Sequence, residues 1–217
     1  MRKHLTLIFD LDNTLHDATP HIFPHINRSM TAYLRKHLAL DEGQASALRV
    51  QYWKAYGATL VGLMRHHGTD PHHFLWHTHQ FPDLERAVAG ERGLRHALRR
   101  IRGARIVYTN SPVHYAEGVL RLLRIGDLFD AVYCIEHTGF RPKPSLAGFR
   151  ILLQRERLDP GRSVLVDDTL GNLRAARRLG LRTIWVTRDP RSPAFVDAKI
   201  ATILSLPRIS CRMGNGC

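Results

Sequence analysis

The run Leu5–Phe9 is apolar enough for a buried strand and stops abruptly at Asp10-Leu11-Asp12-Asn13-Thr14-Leu15. After Thr14 the pattern changes. From about Asn27 to Ala97 the sequence predicts helices only, with turn signals between them. Asn27–His37 alternates apolar and basic residues at helical spacing. A longer helix, about Gln44 to His67, carries Leu48, Tyr52, Trp53, Leu60, Leu63 and Met64. It contains Gly57 and Gly62, each costing roughly 1 kcal/mol against alanine, so a bend or break is expected near Gly57. Pro71 starts another short helix, at the first-turn position proline tolerates.

From Leu94 onward short apolar runs alternate with amphipathic ones. A helix ending near Arg102 precedes a strand Arg105–Thr109. The helix Val113–Ile125 then leads to a strand Ala131–Ile135, followed by the helix Ser145–Arg157. A strand Ser163–Val166, a helix Leu170–Leu179 and a strand Arg182–Val186 follow, with Ala201–Leu204 as a candidate last strand. Such alternation implies a parallel sheet covered on both faces. The expected class is therefore α/β: a doubly wound, Rossmann-like parallel sheet formed by residues 1–15 and 95–209. Residues 16–94 are an all-helical insertion after the first strand, and 210–217 read as a disordered tail.

Composition narrows the function classes. The formal charge of +13 is carried almost entirely by arginine, with lysine only at Lys3, Lys36, Lys54, Lys143 and Lys199. That balance suits anionic ligands. There is no dense basic stripe interleaved with aromatics, so a small phosphorylated substrate is expected as partner rather than nucleic acid. The cysteines Cys134, Cys211 and Cys217 are odd in number and unpaired in spacing, which fits a reducing cytosol. With no signal-like or bilayer-length apolar segment, a cytoplasmic protein without a membrane partner is expected. Oligomeric state is not legible.

The chemistry gathers at predicted strand ends. Alternate residues of an extended chain point the same way, so Asp10 and Asp12 are expected to project into one crevice, where their like charges call for a cation or a shared proton. Thr109-Asn110-Ser111 ends the second strand, Gly139-Phe140-Arg141-Pro142-Lys143-Pro144 opens a helix, and Asp167-Asp168 ends another strand, with Asn172 just beyond. Open α/β sheets place ligands at such strand ends. In a chain that nearly always chooses arginine, Lys143 between two prolines suggests that a compact point charge is needed there. The histidines His66, His67, His72, His73, His77 and His79 crowd the insertion. Zinc needs three or four convergent ligands, and surface histidines are the simpler reading. Tyr52, Trp53 and Tyr56 read as core of the insertion, with Tyr56 also a candidate to face a substrate.

Asp10-Leu11-Asp12-Asn13-Thr14, Thr109-Asn110, Lys143-Pro144 and Asp167-Asp168 together resemble the four ordered motifs of the haloacid dehalogenase (HAD) superfamily of phosphohydrolases. The insertion is similar to the all-α cap domain of one branch. The Asp-Leu-Asp-Asn-Thr-Leu start, Tyr56-Gly57, Arg141-Pro142-Lys143-Pro144 and Val166-Asp167-Asp168 resemble its pyrimidine 5′-nucleotidase-like members. The resemblance implies a Mg²⁺-dependent phosphatase of a small, nucleotide-like phosphate monoester, working through an aspartyl-phosphate. It implies Asp10 as nucleophile and Asp12 as the acid and base, a role that needs a carboxyl of raised proton affinity. Asp168, Asp10 and the backbone carbonyl of Asp12 would hold Mg²⁺, with Asp167 as an alternate ligand. Thr109 would hold the transferring oxygens with Asn110 beside the substrate, and Lys143 would offset charge at the phosphoryl group. Sugar-phosphate phosphatases and phosphomutases share the pattern. A metal-free haloacid dehalogenase has no need of Asp12, and a non-catalytic basic binding module has no need of all four motifs.

Overall fold

The computed structural model describes the backbone of residues 5–213 and the side chains through Ser210. Six strands form one parallel sheet: β1 (Thr6–Phe9), β2 (Ala104–Tyr108), β3 (Ala131–Tyr133), β4 (Ser163–Asp167), β5 (Arg182–Val186) and β6 (Ala198–Ile200). Their order across the sheet is β3-β2-β1-β4-β5-β6. The chain steps outward from β1 to β3, then restarts at β4 on the other flank and steps outward again. This is the expected doubly wound class. Its switch point lies between β1 and β4, where such sheets open a crevice for ligands.

Strand alternation sorts the core into two faces. Leu7, Phe9, Val107, Val164, Val166 and Ile184 pack on one face, with Leu98 of α6 (Leu94–Arg99) and Val119 of α7 (Val113–Leu122). Ile8, Ile106, Tyr108, Leu165 and Trp185 pack on the other, with Phe149 of α8 (Leu146–Arg155) and Leu173 of α9 (Leu170–Arg178). The last strand falls at Ala198–Ile200, ahead of the expected Ala201–Leu204, because Ile203–Ser205 closes a 3-10 turn capped by the Thr202 hydroxyl. The expected disordered tail is corrected as far as Met213. Helix α10 (Leu206–Met213) forms there because Leu206 and Ile209 anchor it on the sheet core, while residues 214–217 lie outside the described ones.

The segment between β1 and β2 is helical: α1 (Ile22–Leu38), α2 (Glu42–Tyr56), α3 (Thr59–His67), α4 (Pro71–Thr78) and a single turn, α5 (Leu84–Ala87), followed by α6. Asp41 and Gln44 close a capping box at the start of α2, and Asp70 caps α4 with Pro71 in its first turn. The expected break at Gly57 occurs. Gly57 takes a left-handed conformation, φ 81°, and ends α2. The insertion has its own core of Tyr33, Leu34, Tyr52, Leu60, Leu63 and Phe74, which also takes in Ile135 and Phe140 from the loop ahead of Lys143. Trp53 corrects an expectation: helical geometry turns it outward from α2, 58% exposed, while Tyr52 faces in.

Candidate active site

The register fixes the first part of the site. Phe9 pairs with Val166 on one side and Val107 on the other, so Asp10, Asp167 and Tyr108 reach the same level at the sheet's carboxyl edge. The Asp10 N–H donates to the Val166 carbonyl at 2.9 Å, carrying the ladder one residue further. The Lys143 Nζ enters this level, 2.8 Å from Asp10 Oδ1 and 2.8 Å from Asp167 Oδ2. Lys143 is 2% exposed, and its ammonium lies 5.4 Å from the Tyr108 ring centre.

Asp167 is fully engaged. Besides Lys143 it accepts from the Thr169 N–H at 2.8 Å, and the Asn172 amide nitrogen reaches its two oxygens at 3.0 and 3.1 Å. Asp168 sits next to it, its backbone carbonyl accepting from the Trp185 indole and one carboxylate oxygen accepting from the Thr169 hydroxyl. One oxygen from each of Asp10, Asp167 and Asp168 falls within 4.8 Å of the others. Among the described residues these three are the group of acids, histidines and cysteines dense enough to hold an ion.

Three carboxylates against one ammonium leave two negative charges when all are ionised. The consequences show in the proton affinities. Burial drives the Asp10 carboxyl well above the usual range, against the pull of Lys143, and Asp167 and Asp168 push it further. Burial and then Asp167 raise Asp168 to about 6. For Lys143, burial alone would disfavour the ammonium, but Asp10 and Asp167 reverse that and keep it charged. A trio of hard oxygen donors with a surplus of two charges fits a divalent cation such as Mg²⁺.

Asp12 differs from expectation on two counts. Its side chain stands outside the trio, because a ring of donors captures it: Ser111 Oγ donates to Oδ2 at 2.7 Å and Tyr115 OH to Oδ1 at 2.6 Å, while His16 Nε2 lies 2.9 Å from Oδ1. Burial alone would raise its proton affinity, as the acid role requires. The contacts with His16, Tyr115 and Ser111 outweigh burial and hold it below the usual range. Asn13 makes the turn possible. It adopts φ 60°, tolerable for asparagine, and its side-chain oxygen accepts from the Ala18 N–H and the Thr19 hydroxyl.

The remaining candidates divide. Thr109 is buried after β2, its hydroxyl accepting from the Ser111 N–H at 3.0 Å. Asn110 meets the backbone of Lys143 with both ends of its amide. Tyr56 bonds His66 through its hydroxyl at 2.7 Å, and the adjoining Gly57 lies against the Lys143–Pro144 backbone. A Cβ there would stand 3.2 Å from Pro144 Cδ. Three of the crowded histidines bond tyrosine hydroxyls: His66 with Tyr56, His67 with Tyr52 and His73 with Tyr33. Sequence reading gave no role to His16 or Tyr115. His16 lies one helical spacing beyond Asp12, but nothing in the sequence singles out Tyr115 from five other tyrosines.

A family model described as haloacid dehalogenase-like hydrolase matches residues 5–180, and the chain belongs to that family. Phosphate metabolism protein 8 of Saccharomyces cerevisiae is 25% identical over 191 residues, covering 80% of this chain. The match takes in 58% of the yeast protein's own length. Validoxylamine A 7′-phosphate phosphatase of Streptomyces hygroscopicus subsp. limoneus is 26% identical, covering 89% of this chain and 90% of its own. The crystal structure of a HAD phosphatase from Thermococcus onnurineus superposes with TM-score 0.67 at 19% identity, over 94% of this chain and 97% of that one, a likeness of fold.

Proposed function

We propose that the protein is a Mg²⁺-dependent phosphatase of small phosphate monoesters that acts through an aspartyl-phosphate on Asp10. A nucleoside 5′-monophosphate, pyrimidine in preference, is the substrate class, and a sugar phosphate is the second candidate. One observation carries the reading: a buried lysine bridges Asp10 and Asp167 at 2.8 Å each, with Asp168 alongside. A carboxylate nucleophile needs its charge offset before it can approach a phosphate dianion, and this arrangement supplies the offset. The phosphatase names of relatives support it.

Mg²⁺ held by Asp10, Asp168 and the Asp12 carbonyl, with Asp167 bracing the site, would neutralise the phosphoryl oxygens. The chain's own groups do the rest. The Leu11 N–H and Lys143 fix Asp10 Oδ1, which sets the direction of Oδ2 for attack on phosphorus. The P–O bond to the leaving group breaks as Asp12 delivers a proton to that oxygen. An anionic ester beside Asp12 raises its proton affinity, so the proton arrives with the substrate. Asp12, again a carboxylate, then takes a proton from the water that cleaves the aspartyl-phosphate and frees phosphate. Thr109 and neighbouring N–H groups bind the transferring oxygens. The helical insertion acts as a cap, closing over the crevice with Tyr56 at its edge and excluding water. The free, buried Cys134 supports a reducing cytosol as the compartment.

The test is phosphate release across nucleoside monophosphates and sugar phosphates, with Mg²⁺ and with EDTA, for the wild type and Asp10→Asn. Metal-dependent release that is lost in a folded Asp10→Asn protein is expected. Release that survives the substitution, or no release from any ester, overturns the reading.

A further inference from the structure

No dense basic stripe runs along the sequence, but the fold assembles one. All six strands are parallel, so the chain enters each of them at one edge of the sheet, opposite the carboxyl edge that holds Asp10. Exposed arginines gather at these entries: Arg99, Arg100 and Arg102 where α6 leads into β2, Arg124 between α7 and β3, Arg157 between α8 and β4, and Arg178 where α9 leads into β5. With β3, β2, β1, β4 and β5 side by side, the row is four strand spacings long, about 20 Å.

The acids along the same entries are already engaged. Asp127 pairs with Arg95 and Asp197 with Arg177, while Asp130 accepts from the Arg105 N–H, Asp159 from the Gly161 N–H and Glu156 from the Tyr133 hydroxyl. None of the six arginines has a carboxylate within ion-pair distance among the described residues. Helices α7, α8 and α9 end alike: the residue after the cap is left-handed, and the N–H of the apolar residue that follows donates to a carbonyl five positions back. In α9 the left-handed residue is Gly180, φ 86°. In α7 and α8 it is Arg124, φ 54°, and Arg157, φ 51°, a strained conformation for any residue with a Cβ. The helix dipole favours a cation at this end, but α7 and α8 already have one in their last turns, Arg121 and Arg155. Strain kept at two arginines of one edge points to a use for their charge.

We propose that this edge binds double-stranded nucleic acid through its phosphates, without reading sequence. The guanidinium fork matches phosphate oxygens in pairs, and the row meets a backbone that presents one charge per roughly 1.7 Å of duplex. The exposed aromatic rings Phe23, Trp53 and Trp76 all lie in the helical insertion. The arginine edge thus has no platform on which unpaired bases stack, and no rings for a lipid interface to take up. A rigid, regularly charged duplex is the partner that remains. This surface faces away from Asp10, so its use is independent of whichever ester the carboxylate site cleaves.

The probe is a fluorescein-labelled duplex of about 20 base pairs, as DNA and as RNA, titrated with the full-length protein from about 50 to about 200 mM sodium chloride and followed by anisotropy. Saturable binding of at least one duplex is expected, with log K falling against log salt at a slope of about −5 if all six arginines meet phosphates. Arg124→Gly with Arg157→Gly should make that slope shallower by about 2 and weaken binding roughly tenfold at the lowest salt. Glycine suits both left-handed turns, so this variant keeps the fold, as circular dichroism checks. Lys36→Gln with Lys54→Gln removes the same charge from exposed positions of the insertion and should leave the slope at its wild-type value. No saturable binding of either duplex, an equal loss in the two double variants, or tighter binding of the single strand overturns the proposal. Binding to phosphatidylserine vesicles without binding to a duplex assigns the edge to a membrane and overturns it too.

Discussion

Asn110 and Lys143 are joined by a closed pair of hydrogen bonds: the Asn110 amide nitrogen donates to the Lys143 carbonyl at 3.0 Å, and the Lys143 N–H donates to the Asn110 side-chain oxygen at 2.7 Å. The end of β2 thereby grips the loop that delivers the ammonium to Asp10 and Asp167. Asn110 is thus tied to positioning Lys143 rather than free for a substrate. Asn110→Ala removes both bonds and leaves two loop groups unpaired. A loss of about 2 kcal/mol in urea unfolding is expected, with turnover down about tenfold or more as Lys143 loses its fixed geometry. Unchanged kcat with lowered stability would make the grip purely structural.

The ring around Asp12 gives a second expectation. Tyr115 and Ser111 donate to the carboxylate, and His16 completes the ring, which is why its proton affinity is low. Tyr115→Phe withdraws one stabilising bond, so the Asp12 pKa should rise. In the proposed mechanism Asp12 must be protonated for the first chemical step, so the variant stays competent to higher pH. The basic limb of the kcat profile should move upward, by roughly half a unit to one unit if the bond contributes about 1 kcal/mol. The measurement is kcat against pH for both proteins, and a shift to lower pH would contradict Asp12 as the acid.

Much of this was legible in the chain. Short apolar runs between amphipathic helices specify a parallel sheet, and the abrupt end of Leu5–Phe9 in Asp10 marks the strand end where the ligand crevice opens. The fate of Asp12 was not legible. The period-two rule places Asp10 and Asp12 on one side of an ideal strand, but β1 ends at Phe9 and Asn13 turns the chain at once. Three donors from α7, its preceding loop and the turn itself then decide where the carboxylate goes. Those contacts join residues as far apart as Asp12 and Tyr115, and a single sequence carries no trace of such pairing. Trp53 failed for a related reason: α2 is apolar around much of its circumference, so periodicity alone does not say which aromatic faces inward.

His79 makes stability depend on pH. It is buried beside Thr78, and burial lowers its pKa from 6.5 to about 4, with His114 and His25 adding to the effect and Asp12 opposing it. The folded state therefore resists a proton that the unfolded chain accepts. Stability from this residue is complete above the unfolded value, falls as pH drops through 6.5 towards 4, and levels off below. Between about pH 7.5 and about pH 5 the loss comes to about 2 kcal/mol. Unfolding of wild type and His79→Gln in urea at both pH values checks it. The wild type's advantage over the variant should shrink by that amount on acidification, and a constant difference would refute it.

Gly148 lets α8 approach the loop that carries Lys143. A Cβ there would stand 2.4 Å from the Arg141 carbonyl oxygen and 2.5 Å from the Tyr108 hydroxyl, one a backbone atom and the other on a fully buried ring. Gly148→Ala should cost about 1–3 kcal/mol through overpacking and reduce turnover by displacing Arg141, two residues before Lys143. The Tyr108 hydroxyl has no partner among the described residues. Tyr108→Phe alone should be neutral or slightly stabilising, because it removes a buried polar atom that nothing satisfies. In the double variant one of the two clashes is gone while the clash with Arg141 stays. The pair should therefore show a favourable coupling of about 1 kcal/mol in a double-mutant cycle of urea unfolding. Strict additivity would mean that α8 shifts away from both neighbours together and that Tyr108 sets no limit on its approach.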